Sequence, residues 1–337
     1  MDLGSLGRVA GDGESQSLQL ARSSRGEKPV MRTFGPRRRA VPPRAERIRV
    51  AGSGHDPDRT GRGSRQVMMS PVPILLYHSI SADPPDWIST FTVSPVTFRT
   101  HLDVVVASGR QPITVSQFTD GLQGKTELPA RPVLITVDDG FADFADNAMP
   151  ALTERKLPST LYVTTGALAG EAQESVLPPA DMLRAADLPG LEAEGVEIGA
   201  HSHTHRQMDL LSENQLTDEL SRSRDLLAET LGHPIRSFAY PHGYWRPRVL
   251  RLVNAAGFDS SCAVGNSLCS AKDHPLALSR LMVRADTDTS VIAAWLDGSG
   301  ARVLPPQHRL LAYGWRQYRR SRQARLLTIF TNGGHQT

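Results

Sequence analysis

The chain has 337 residues, of which 39% are hydrophobic, and a formal net charge of +3 at pH 7. This length suits one large domain or two small ones, and the composition is typical of a globular protein rather than a fibrous one. The two cysteines, Cys262 and Cys269, are too few for a disulfide-stapled scaffold, and their spacing does not match a zinc knuckle. No stretch approaches the roughly 18 apolar residues of a membrane span, and the N-terminus lacks the apolar run of a signal peptide. These features predict a cytoplasmic location, with peripheral attachment to a membrane left open.

The charge is unevenly distributed and divides the chain into three regions. Residues 1–67 carry 14 Lys and Arg against 7 Asp and Glu, and they are rich in Gly, Pro and Ser. Such a segment cannot bury enough apolar surface to fold, so we predict a disordered basic extension, and Met68 or Met69 is the expected start of translation. Residues 68–300 are the predicted globular domain. The basic tail, 301–337, is read either as a closing amphipathic helix or as a helix lying on an anionic membrane; no nucleic-acid partner is expected.

From Pro71 onward, strand-like apolar runs alternate with helical patterns. The predicted strands are "PILLYHSI", 132–138, 159–165, 196–200, "SFAYP", "FDSSCAV" and "ALSRLMV". The predicted helices are "SPVTFRTHLDVVVASG", about 143–156, about 180–194, "SENQLTDELSRSRDLLAETLG", "RPRVLRLVNAAG" and "TSVIAAWLDG". This alternation predicts βαβ units and a parallel α/β sheet. Roughly seven such units in about 230 residues favour a closed or nearly closed barrel over an open sheet.

Polar, ionisable side chains follow four of the predicted strands. They lie in the segments 77–79 (Tyr-His-Ser), 138–140 (Asp-Asp-Gly), 201–205 (His-Ser-His-Thr-His) and 241–243 (Pro-His-Gly). In barrels of this kind, active sites form where the strands end. These four segments are therefore expected to converge on one face.

The pair of acids and the histidine-rich segment together fit a catalytic metal site. Zinc prefers imidazole nitrogen and carboxylate oxygen, and a catalytic zinc keeps one position open for water. His201 and His205, with one carboxylate from the Asp138-Asp139 pair, complete a set of three ligands. The remaining carboxylate is then free to take a proton from the attacking water.

Three motifs in this order, each after a predicted strand, carry a resemblance to a known family: "TVDDGF" at 136–141, "HSHTH" at 201–205 and "FAYPHG" at 238–243. They resemble the NodB-homology polysaccharide deacetylases, a group of carbohydrate esterases. "PILLYHSI" and the segment 91–118 look like the branch of exopolysaccharide and chitooligosaccharide N-deacetylases. The resemblance covers about residues 71–290. It implies a distorted (β/α)7 barrel and a metal-dependent hydrolase that removes N-acetyl or O-acetyl groups from sugar polymers.

The resemblance also implies roles for individual residues. Asp139, His201 and His205 would bind the divalent metal, with zinc as the expected ion, and Asp138 would be the general base. In the third motif, a backbone N–H within Pro241-His242-Gly243 would stabilise the oxyanion. Many family members have an Arg before this motif, where the present chain has Ala239, and Arg280 on a later strand is the predicted replacement for it.

Two other histidines complete the predicted site, and a third is expected outside it. The late family motif that supplies the general acid has no evident counterpart, and His274 is the candidate for that role. His78, after the first strand, is predicted to line the substrate site. His203 lies between the two predicted metal ligands in sequence and is expected at the surface.

The function predicted from these residues is removal of N-acetyl groups from a sugar that contains N-acetylglucosamine. Two alternatives stay open. The same barrel supports hydrolysis of other non-peptide C–N bonds, and a non-catalytic carbohydrate-binding homologue would keep the fold.

Overall fold

A parallel sheet forms the centre of the protein, as seen in a computed structural model that describes residues 70–303 and 316–319. The described residues belong to one unit, Arg65–Thr337. Its strands are β1 (Ile74–Tyr77), β2 (Ser79–Ile80), β3 (Thr92–Val93), β4 (Gln111–Pro112), β5 (Pro132–Val137), β6 (Ser159–Val163), β7 (Val196–Ala200), β8 (Ser237–Ala239), β9 (Ser260–Cys262), β10 (Ser267–Leu268), β11 (Leu281–Met282) and β12 (Arg302–Val303). The main sheet runs in the order β11-β1-β5-β6-β7-β8-β9, and β4 pairs with β5 in addition.

The two ends of this sheet meet through a short segment rather than through a full strand pair. Leu278, just before β11, forms a parallel bridge with Cys262 at the end of β9. Its N–H donates to the carbonyl of Ser261 (2.9 Å), and its carbonyl accepts from the N–H of Ala263 (2.8 Å). The seven parallel strands therefore close into a distorted barrel, as the (β/α)7 prediction requires.

Helices follow most of these strands. They are α1 (Pro95–Ala107), α2 (Val115–Leu122), a π-helical turn (Phe144–Ala148) that continues into α3 (Met149–Glu154), α4 (Leu188–Ala193), α5 (Glu213–Leu231), α6 (Pro247–Ala255) and α7 (Thr289–Leu296). The side chain of Ser94 accepts from the N–H of Thr97 (3.0 Å) and caps α1. Ser212 and Gln215 form a reciprocal capping box on α5, and Gly232 ends that helix in the left-handed region at φ 75°.

The predicted elements are present, and most of the differences are at their ends. The helix predicted at about 180–194 is shorter and begins with a single 3-10 turn, because Pro189 fits only the first turn of a helix. The strand predicted from "ALSRLMV" pairs regularly only at Leu281 and Met282, since its first part bridges to β9 instead.

The strands that carry the site are almost entirely buried, and in β7 only Glu197 is partly exposed. All six residues of β5 are buried, as are the four of β1 and the five of β6. This continuous burial is typical of parallel strands that are covered on both faces. In the described ranges, no helix is both long and apolar enough to cross a membrane. The predictions for residues 1–67, and for most of the tail at 301–337, lie outside the described residues.

Candidate active site

The ends of neighbouring strands bring the predicted acids and histidines together. Asp138 and Asp139 follow β5, and His201 and His205 follow β7, with β6 between the two strands. All four side chains belong to residues that are at most 7% exposed. A group of four ionisable residues removed from water in this way requires specific partners, because an unpaired buried charge is costly.

Asp139, His201 and His205 form the part of this group that suits a metal ion. One ligand atom from each lies within 4.8 Å of the others. Oδ1 of Asp139 lies 3.4 Å from Nε2 of His201 and 3.1 Å from Nε2 of His205. This oxygen is buried and accepts no hydrogen bond from the described residues. An orphaned carboxylate oxygen facing two imidazole nitrogens is a donor set that fits zinc.

The surroundings of these residues favour the protonation states that metal binding needs. The other ring nitrogen of His201, Nδ1, lies 2.9 Å from the carbonyl of Ala239, to which it donates, so Nε2 is left to face the carboxylate. Burial by itself raises the pKa of Asp139, but His205 and His201 outweigh it and lower that pKa well below its usual value. Asp139 is therefore anionic at neutral pH.

Asp138 has a different partner from Asp139. Arg280 is fully buried and donates two parallel hydrogen bonds to the Asp138 carboxylate, at 2.6 Å and 2.7 Å. Burial raises the pKa of Asp138, but the opposing effects of Arg280 and His201 lower it below its usual value. The structure thus places Arg280 beside the predicted base and not at a solvated strand end.

The backbone of the site is unusually contorted. Among the described residues, six that are not glycine have positive φ, and four of them belong to this site: Asp139 (78°), Ser202 (62°), His205 (62°) and His242 (58°). Such conformations cost free energy and persist only where the surroundings enforce them, which is common at functional sites.

A glutamate from α5 holds the histidine-rich loop in place. Oε2 of Glu219 accepts from the backbone N–H groups of His203 (3.0 Å) and Thr204 (2.7 Å), and Oε1 accepts from the Thr204 hydroxyl. Inside the loop, the N–H of His205 donates to the hydroxyl of Ser202 (3.0 Å). These bonds fix the turn on which His201 and His205 face each other.

The expectation that His203 lies at the surface is wrong. It is 5% exposed, and its Nδ1 lies 2.8 Å from the hydroxyl of Thr165. The alternation of an extended strand does not apply here, because the strained loop turns the His203 side chain inward toward the segment after β6. His203 therefore belongs to the packing beneath the site.

His78 lies beside the two acids. Burial lowers the pKa of His78 below its usual value, although the charges of Asp139 and Asp138 act in the opposite direction. The ring packs against Phe91 at 5.5 Å between centroids, and Nδ1 is buried with no hydrogen-bond partner in the described part of the chain. Asp143 fixes the following turn by accepting from the Ser79 hydroxyl (2.5 Å) and from the N–H of Ile80 (3.1 Å).

The third motif lies on the other side of His205. Pro241 and Gly243 are buried and His242 is exposed. The rings of His242 and His205 lie 4.8 Å apart between centroids. A Cβ atom at Gly243 would lie 2.5 Å from Val264, so this turn accepts no larger residue there.

His274 is the predicted residue that the structure does not bring to the site. Its side chain is exposed, and its Nδ1 accepts a hydrogen bond from the N–H of Leu276 (3.0 Å), two residues away. The physical reason is its place in the chain: His274 precedes the last strand of the barrel, whereas the site forms after the strands.

Comparison with known proteins agrees with this geometry. Residues 125–261 match the family model described as polysaccharide deacetylase. The putative polysaccharide deacetylase YxkH of Bacillus subtilis is 23% identical over 226 residues, which cover 67% of this chain and 76% of that protein. A poly-beta-1,6-N-acetyl-D-glucosamine N-deacetylase of Staphylococcus aureus is 21% identical over 217 residues, which cover 62% of this chain and 73% of that one.

Two solved structures share the fold. The Streptococcus pyogenes deacetylase PplD, in complex with acetate, has a TM-score of 0.59 and 22% identity over 65% of this chain and 95% of its own. IcaB from Ammonifex degensii has a TM-score of 0.58 and 23% identity over 67% of this chain and 97% of its own. The matching family model identifies residues 125–261 as a polysaccharide deacetylase domain, and the paired acids and histidines after the strands agree with that match.

Proposed function

We propose that this chain is a metal-dependent deacetylase that hydrolyses the C–N bond of N-acetyl groups on an oligo- or polysaccharide containing N-acetylglucosamine. The observation that carries the proposal is that two adjacent buried acids have different partners: Asp138 is paired with Arg280, and Asp139 faces two imidazoles. The curated relatives named as N-deacetylases of poly-beta-1,6-N-acetyl-D-glucosamine support the sugar and the bond.

Asp139, His201 and His205 would hold the divalent cation, and zinc is the first choice on ligand type. When bound, the cation supplies polarisation of the acetyl carbonyl and a lower pKa for water. Asp138 accepts the proton of the attacking water, and Arg280 keeps this carboxylate ionised and oriented.

The remaining roles belong to the two flanking segments. The backbone N–H of His242, held between Pro241 and Gly243, donates to the oxyanion that forms on the acetyl group. His78 protonates the sugar nitrogen as the C–N bond breaks, after which acetate and the free amine leave. The supporting observations for His78 are its position near both acids, whose charges act on its pKa, and a buried ring nitrogen that has no partner among the described residues.

The test of the proposed function is acetate release from N-acetylglucosamine oligomers, with β-1,4 and β-1,6 linkages offered separately. We expect the metal-stripped protein to release no acetate, and added zinc or cobalt to restore release, because the water and the carbonyl are activated only when the cation is bound. Metal content is measured in parallel.

Two other results would contradict this function. Sugar binding without acetate release at every metal loading would point to a binding protein. Activity on a small amide or ureide, without activity on either sugar, would point to another C–N substrate.

Separate replacement of the two candidate proton donors, His78 and His274, gives a second test. We expect His78→Gln to lower kcat by about 10²–10⁴-fold, the usual contribution of a general acid, and His274→Ala to keep the parent rate. His274 serves as the matched control because its exposed ring has only a local hydrogen bond. The two variants are compared at equal metal content, and a large loss in His274→Ala with none in His78→Gln would reverse the assignment.

A further inference from the structure

The described part of the basic tail, residues 316–319, is one helical turn that contacts the loop after the histidine motif. Arg319 is only 9% exposed and donates to both carboxylate oxygens of Asp209, at 2.9 Å and 2.7 Å. It also donates to Oε1 of Gln207 (2.7 Å), and Arg316 donates to the backbone carbonyl of Asp209 (3.2 Å and 3.1 Å). Asp209 itself is 3% exposed, so this is a buried, two-pronged ion pair and not a contact between solvated charges.

The same arginine connects the tail to the active site. The guanidinium carbon of Arg319 lies 3.7 Å from the centre of the Tyr244 ring. Tyr244 stacks on His242, with centroids 6.2 Å apart and an angle of 25° between the planes. The ring centroids of His242 and His205 are in turn 4.8 Å apart, and His205 is one of the three residues that suit a metal. A series of direct contacts therefore runs from the tail to the reacting centre.

The segment that Arg319 contacts presents exposed rings next to the candidate site. His242 is exposed and Trp245 is 40% exposed, and they lie on either side of the half-buried Tyr244. An aromatic ring that is fixed on one face by a neighbouring side chain and lies beside exposed rings can stack on the apolar face of a pyranose. Pro241–Gly243 is a single 3-10 turn in which His242 has a positive φ, a conformation that persists only where its surroundings enforce it, and residues 244–246 after it belong to no strand or helix.

We propose that Arg319 is a positioning residue of the deacetylase site: anchored by Asp209, it holds Tyr244 and His242 as a wall of the groove that binds the acylated sugar. Residues 316–319 would thereby complete the substrate site. This inference rests on the proposed function for its substrate, but the docking of the tail is independent of it.

The first experiment measures kcat and KM for acetate release by the full-length, metal-loaded protein. We expect Arg319→Ala to raise KM for N-acetylglucosamine oligomers about tenfold, with a smaller change in kcat and no change in metal content. Arg319→Lys keeps the charge for Asp209 but loses the planar stack on Tyr244, so it is expected to restore KM only in part. Gln317→Ala is the matched control, because that neighbouring side chain is exposed.

The second experiment reads docking without activity. Trypsin cuts after Arg316 only when this turn leaves the barrel, so Arg319→Ala and Asp209→Asn should both speed that cleavage relative to Gln317→Ala. Fragment masses identify the cut. Cleavage and KM that both match the control would overturn the proposal, and faster cleavage with an unchanged KM would reduce Arg319 to a structural role and overturn it too.

Failure of the proposed function gives a different pattern. If the parent protein releases no acetate, calorimetric titration with the same oligomers replaces KM. A Kd that rises about tenfold in Arg319→Ala then supports the groove, and equal binding by parent and variant refutes it.

Discussion

Replacing Asp138 by Asn is expected to lower kcat for acetate release by about 10²–10⁴-fold. Asn has nearly the same shape as Asp but cannot accept a proton from water at neutral pH. It also leaves the fully buried Arg280 without a charged partner, so the melting temperature should fall as well. Acetate release is measured with the metal content and the melting temperature of each sample.

Two further variants separate the base from its neighbours. Asp146→Asn, an exposed acid on the π-helical turn, should keep the parent rate and serves as the control. Asp139→Asn should lose activity together with bound metal, whereas Asp138→Asn should lose activity and keep its metal. Loss of metal in Asp138→Asn would make this residue a ligand, and retention of most of the rate would show that another group is the base.

Local patterns in the sequence were sufficient to predict the order of the elements. Alternating strand and helix signals, the caps at Ser94 and Ser212 and the stop at Gly232 each depend on residues within a few positions of one another. Closure of the barrel depends on Leu278 meeting Cys262, and no local pattern predicts that bridge. The number of strand–helix units in the sequence therefore favoured a barrel, but the sequence could not show how the two edges of the sheet meet.

The group of residues that could bind a metal was predictable for a related reason. Asp139, His201 and His205 each follow a strand directly, and the ends of parallel strands meet at one face. Arg280 was harder, because it comes from the irregular closing strand and its partner Asp138 is 142 residues away. The missing arginine at Ala239 suggested a substitute, but only the register of the closed sheet brings Arg280 to the carboxylate.

The supporting residues were missed, although one of them left a signal. Glu219 lies in the buried stripe of α5, between Leu216, Leu220 and Ser223. An acid in an apolar stripe indicates a paired, buried charge, since an isolated one would be too costly there. Asp209 and Arg319 left no such signal, because each lies in a short polar stretch and they are 110 residues apart.

Arg280→Met is the second variant for which we expect a large effect, and its signature is a shift in pH dependence. Arg280 stabilises the charged form of Asp138. Burial raises the pKa of Asp138, and in Arg280→Met the strongest of the groups that lower this pKa is gone. The base would then be protonated up to a higher pH. The acidic limb of kcat/KM should move upward by about 1–3 pH units, the usual effect of one close opposite charge.

Stability should change with pH in a matching way. In the parent, the lowered pKa of Asp138 stabilises the fold above the pKa of the unfolded chain, and this contribution is lost as the pH falls through the folded value. In Arg280→Met the folded pKa is expected to rise from its value in the parent, because the strongest of the groups that lower it is gone, and the broken buried pair should destabilise the fold at neutral pH by about 3–5 kcal/mol. The gap in melting temperature between parent and variant should therefore narrow as the pH is lowered.

Matched variants show whether this effect belongs to the ion pair. Arg251→Met removes an exposed arginine from α6 and should change neither the pH profile nor the melting temperature. Arg280→Lys keeps a positive charge but not the two parallel hydrogen bonds, so its acidic limb should lie between those of the parent and Arg280→Met. An acidic limb that stays at the parent pH in Arg280→Met would mean that the group titrating in that limb is not Asp138, and the base would have to be sought elsewhere in the site.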